Sequence, residues 1–110
     1  MSTITHKGFL GDAEHDFTLS DAMVLELERL TETGIGALYQ RLTNMAFRGS
    51  DISEVIRLGL IGGGMNPQAA MQLVTTYVHD RPLAETLPLA LDVLDARWSG
   101  AEPNPKEDAE

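Results

Sequence analysis

The chain contains no cysteine, which excludes disulfide scaffolds, thiolate zinc sites and a cysteine nucleophile. That absence suits a reducing compartment. Long apolar runs are missing as well: nothing approaches the roughly 18 uninterrupted residues needed to span a bilayer. Met1-Ser2-Thr3-Ile4 does not open a basic-then-apolar leader, so neither export nor a membrane span is expected and a cytoplasmic protein is. Cations are scarce, with 8 Lys and Arg against 17 Asp and Glu and a formal charge of −9. Nucleic-acid affinity rests mainly on cations that neutralise phosphates, so that class is disfavoured, and anionic membrane surfaces are disfavoured with it. Acidic charge keeps small proteins soluble and their copies apart; a basic protein partner is the functional alternative.

What is present is one domain's worth of helix-forming sequence. A chain of 110 residues buries roughly two thirds of its unfolded surface and needs no metal or disulfide to fold. The expected fold is mainly α: a small domain over residues 1–99 with four to five helices behind an N-terminal β-hairpin at 3–19. In the hairpin Ile4, Phe9, Leu10, Phe17 and Leu19 are spaced by polar residues, and Gly11-Asp12 supplies the turn. A lone two-stranded ribbon is marginal in water, so it must lie on the helices or gain strands from another subunit.

Ser20 caps the first helix and Asp21 places negative charge at its N-terminus; Met23, Val24, Leu27 and Leu30 form its buried stripe. Thr33-Gly34 ends it. Ile35, Leu38, Tyr39, Leu42 and Met45 define a second helix closed by Arg48-Gly49. Asp51 and Glu54 have capping-box spacing and open a third, with Ile52, Val55, Ile56, Gly59 and Leu60 on one face. Gly59 inside it costs about 1 kcal/mol relative to alanine and points to close helix–helix approach. Gly62-Gly63-Gly64 then breaks the chain before Asn66-Pro67, a cap followed by a residue already at helical φ. Ala70, Leu73, Val74, Tyr77 and Val78 make the face of the fourth helix. Pro88 either kinks or splits the last apolar stretch; the split is preferred, with a short turn from Pro82 and a main helix from Pro88 that aligns Leu87, Leu91, Leu94 and Trp98. Residues 100–110 have the composition of a disordered acidic tail.

Reactive groups do not assemble by spacing. His6 and His15 could face each other on the hairpin, but a metal needs a third ligand, and surface histidines are the simpler account. His79 lies near the end of the fourth helix, where a cation suits the dipole. Glu26 and Glu28 point in different directions, and Asp92 and Asp95 share a solvated face. The glycine run lacks both the Gly-Lys-Ser/Thr ending of a phosphate loop and a preceding strand. A helix-turn-helix whose second helix starts at Pro67 has no Lys or Arg between Met65 and Asp80 to hold phosphates. No catalytic residue, cofactor or metal is expected. Methionines are flexible and polarisable, suited both to core gaps and to adaptable contacts. Met65 is the one expected at the surface, and Met65, Met71, Leu91, Leu94 and Trp98 are the candidate partner-binding residues.

Three segments carry a resemblance. Phe17 to Glu28 with its Leu27-Glu28, then Ile35-Gly36-Ala37-Leu38, then Ile52 to Leu60 closing on Gly62-Gly63-Gly64, together resemble the gene-transfer-agent family of phage tail-assembly proteins, which also carries a tail-tube label. The resemblance covers most of Phe9 to Trp98. It departs at Thr18-Leu19-Ser20, where a basic residue is common, and at Asp21-Ala22-Met23, where small residues are. What it implies is a non-enzymatic tail-assembly factor of a phage or gene transfer agent, chaperone-like in binding tape-measure or tail-tube proteins. A structural tube component of the same family is the alternative it leaves, and an unrelated protein-interaction module is a further one. No cofactor comes with it, and a homo-oligomer is compatible with it. In that picture apolar helix faces cover amphipathic segments of a partner while the acidic exterior keeps the complex soluble.

Overall fold

The computed structural model describes residues 3–101. Two strands, β1 (Thr5–Leu10) and β2 (Ala13–Thr18), precede five helices: α1 (Asp21–Thr31), α2 (Ile35–Thr43), α3 (Gly49–Gly62), α4 (Pro67–Tyr77) and α5 (Leu83–Ser99). The mainly α architecture with a leading hairpin is the one expected. The hairpin is antiparallel with Thr5 opposite Thr18, His6 opposite Phe17 and Leu10 opposite Ala13. Gly11 sits at the first turn position with φ +70°, a conformation that a side chain would resist. A Cβ there would also run into the Tyr77 ring, so the turn rests on the end of α4.

The alternation of the strands sorts the hairpin's faces. Leu10 and Phe17 enter the core with Leu19 just beyond, whereas the outer face carries the Thr5–Thr18 hydroxyl pair and the Lys7–Asp16 ion pair. Cross-strand pairs of this kind stabilise a ribbon too small to stand alone. The ribbon lies on α3 and α5, the first of the two supports its size calls for.

Helix α3 is the centre of the molecule. Ile52, Val55, Ile56, Leu58 and Leu60 are all buried, and β2, α1, α4 and α5 pack around them. Gly59 acts as expected: a Cβ would press on Phe17 and on Val93 of α5 at 3.3 Å each. The start of α3 differs from expectation. It begins at Gly49, and Asp51 stands in the third position, where its carboxylate accepts from the Arg48 N–H at 2.8 Å. Asp51 therefore supplies the returning half of a box and does not itself cap the helix, and Arg48-Gly49 opens α3 and does not close α2.

Helix α2 stops at Thr43. Met45 takes φ +60°, and the Ala46 N–H returns to the Arg41 carbonyl at 2.8 Å, the pattern of a left-handed helix stop. Met45 thus leaves the apolar stripe it continues in sequence. Gly34 offers α2 no capping side chain, and Glu28 of α1 fills the place by accepting from the Ile35 N–H at 2.9 Å.

The expected split at Pro88 does not occur, since α5 runs unbroken from Leu83 to Ser99 with Pro88 inside. The proline removes only its own bond to the Ala84 carbonyl. Ala84 and Pro88 are both exposed, so water can satisfy that acceptor. On the opposite side Thr86, Ala90 and Val93 are buried and hold the two halves of the helix to one core. After Gly100 the chain pairs Ala101 with Thr3 through two backbone hydrogen bonds of 2.7 and 2.8 Å. The rest of the acidic tail, residues 102–110, lies outside the described residues.

Candidate interaction surface

The glycine run sets how the hairpin meets the helices. Gly62 and Gly63 lie so close to β2 that a Cβ on the first would collide with the Thr18 carbonyl and one on the second with that of Asp16. Only the third residue, Gly64, is there for its backbone freedom: φ is +109° and nothing stands near its missing Cβ. Sequence reasoning found the break but not the close approach, which has no signature in one chain's local pattern. Beyond the break, Asn66 caps α4 as expected, its Oδ1 accepting from the Gln68 and Ala69 N–H groups.

Clefts border the hairpin on both sides among the described residues. One, of about 390 Å³, is lined by Lys7, Glu14, His15, Asp16, Leu60, Gly63 and Met65. His15 and His6 flank the Phe17 ring on the inner face, and His15 Nε2 has no hydrogen-bond partner. His6 Nε2 stands 3.8 Å from Asp92. Among the described residues no three His, Asp or Glu side chains converge as metal ligands. Asp16 accepts a hydrogen bond from Lys7 Nζ, which together with its charge raises the Lys7 pKa. The other cleft, about 240 Å³, lies between the hairpin tip and the start of α5 and includes Phe9, Gly11, Tyr77, Arg81, Glu85 and Leu89. Arg81 lies over the Tyr77 ring at 5.8 Å from its centroid.

The candidate partner-binding residues are dispersed. Met71 on α4 and Trp98 near the end of α5 are 44% and 69% exposed. Met65 is half-buried against the core beside the larger cleft, and Leu91 is half-buried too. Leu94 is 2% exposed and belongs to the core, so the face from Leu87 to Trp98 is surface only at its end. There Tyr39 donates to Asp95 at 2.9 Å, and its ring lies 6.3 Å from that of Trp98. The Asp95 hydrogen bond is the main reason the Tyr39 pKa is raised. Phe9, Leu25 and Met45 are more exposed than any of the candidates except Trp98. Leu25 stands outside the stripe of α1, a position from which exposure could have been read.

The most buried charge pair was not anticipated. Asp51, 1% exposed, takes three hydrogen bonds from the Arg41 guanidinium at 2.9 to 3.2 Å, joining α2 to α3. A second charge pair ties the start of α1 to α5: Arg97 donates to Asp21 and to the Leu19 carbonyl. Both are structural ties between elements.

Taken together these features define a small helical protein in which buried and half-buried charge pairs tie the helices together and several large apolar side chains stand at the surface of a chain with net charge −9. A family model described as phage tail tube protein, GTA-gp10, matches residues 3–100, and the chain belongs to that family. The resemblance read from the sequence is borne out, and with it a role related to the tails of phages or gene transfer agents. No curated protein and no solved structure matched the chain. No described helix is long and apolar enough to cross a membrane.

Proposed function

We propose that the chain is a non-enzymatic tail-assembly factor that holds a tape-measure or tube protein before polymerisation. The observation that carries this reading is the placing of large apolar side chains, Phe9, Leu25 and Trp98, at separate points of the surface of a chain with a net charge of −9. Exposed aromatic and aliphatic side chains can serve as anchors for another polypeptide, and like charge opposes stacking of identical copies. Met71 and Trp98 are the proposed contacts among the candidates, with Met65 and Leu91 able to contribute their exposed portions. The tail-tube description of the family favours a second reading, a structural tube component incorporated in the particle.

The two readings separate by location. A tagged copy expressed with the tail genes should recover tape-measure or tube protein from lysates and be missing from purified particles. Recovery of the chain from particles in amounts matching a tube subunit would decide for the second reading. Trp98→Ala and Met71→Ala together should weaken the recovery without lowering the melting temperature.

A further inference from the structure

The hairpin has two edges, and among the described residues only one of them is closed along its length. In an antiparallel pair the N–H and C=O of a residue point to the same side, and that side alternates along the strand. The carbonyls of Asp16 and Thr18 point at Gly63 and Gly62, so these residues of β2 turn their backbone groups away from β1. Their partners in the register are Lys7 and Thr5, which by the same geometry face away from β2, as does Phe9 two residues on. Thr3 obeys the same parity, with its N–H and C=O both bonded to Ala101. The Thr5 N–H is taken by Thr3 Oγ1. Among the described residues, no partner outside the hairpin takes up the outward N–H or C=O of Lys7 or Phe9.

Such an edge is a template for another strand. Its far end adjoins the cleft of about 240 Å³ at Phe9, where Leu89 and Tyr77 offer apolar walls. A second copy is a poor occupant, because each copy carries −9 and like charge opposes association. The charge along the edge favours a cationic strand. Lys7 and Arg81 are already engaged by Asp16 and Glu85, at 2.8 and 3.6 Å. Glu14, directly across from Phe9 on β2, adds a further carboxylate whose charge acts on Lys7.

We propose that the outer edge of β1 accepts an extended, positively charged segment of another polypeptide as a third strand, seating one apolar side chain in the cleft beside Phe9. This describes how the partner proposed above would dock, and it rests on that reading only for the partner's identity. The probe is a synthetic heptapeptide of alternating lysine and valine, with its backbone N-methylated analogue, which cannot join a ladder, as control. Added to the full chain, the first should bind and slow amide exchange at Lys7 and Phe9, while His6 and Gly8, whose N–H groups face β2, change little. The analogue should do neither. Phe9→Pro deletes an outward donor, leaves the β1–β2 ladder intact, and should weaken binding at least about tenfold. Glu85→Lys, on an exposed wall of the cleft, should weaken it about threefold and guards against a folding defect in the proline variant. The proposal is overturned by no binding up to about 1 mM peptide, by binding without protection at Lys7 and Phe9, or by protection of those amides through self-association. Peptide binding with a failed tail-protein pull-down would support strand addition and count against the tail partner.

Discussion

At the scale of single residues, three neighbouring glycines have three different reasons to be glycine. Gly62 and Gly63 are held by collision with strand backbone, which cannot swing aside as a side-chain tip can, whereas Gly64 has open space and only an unfavourable φ. Gly62→Ala should therefore cost about 3 kcal/mol or more by displacing α3 from β2, and Gly64→Ala about 1–2 kcal/mol as local strain. Denaturant unfolding of the two variants checks the order, and equal losses would show that the helix end is free to shift. The Arg41–Asp51 pair is a second test at this scale. Asp51→Ala removes the acceptor for the Arg48 N–H and leaves Arg41 unpaired, at a cost of about 3 kcal/mol. Replacing both partners, Arg41→Met with Asp51→Leu, should recover part of that loss, since an apolar pair leaves only the Arg48 N–H unsatisfied.

Among the elements, α5 is the one whose sequence conflicts most with its structure. A proline in the second turn costs a helix hydrogen bond, yet the helix continues because Ala84 and Pro88 face water while Thr86, Ala90 and Val93 face the core. Pro88→Ala should then stabilise the protein by about 1–3 kcal/mol with no change in which residues are buried, read as a rise in melting temperature. A fall would mean that the proline shapes the contact with the hairpin. The stripes of α1, α3 and α4 were legible because each apolar residue repeats at helical spacing and meets a core on one side. The end of α2 was not, because Met45 keeps that spacing while its backbone has already turned left-handed. The cap of α2 was hidden for another reason: Glu28 lies seven residues before Ile35, outside any local capping pattern. Of the candidate surface, Trp98 and Met71 were legible as apolar residues in excess of core needs. Leu94 was misplaced since one stripe can supply both core and surface along a helix. The open edge of β1 depends on which strand edge the glycines cover, a tertiary fact with no counterpart in spacing.

For the whole molecule, charge and apolar exposure pull in opposite directions, and salt separates their effects. Two copies, each at −9, repel over a Debye length of about 10 Å at 0.1 M salt. Screening that repulsion strengthens any self-association driven by Phe9, Leu25 or Trp98. Binding to a cationic strand at the edge of β1 has the reverse dependence, because salt weakens the attraction that brings the partners together. A tube subunit and a carrier of tail proteins are thus expected to respond to salt with opposite sign. We expect affinity for the tail partner to fall between about 0.05 and 0.5 M salt, while self-association stays weak at the low end of that range and grows towards the high end. Sedimentation of the chain alone and with its recovered partner measures both slopes. Partner affinity that rises with salt would place the binding energy in the apolar side chains alone, and rings or filaments of the isolated chain at low salt would show that its charge does not keep copies apart.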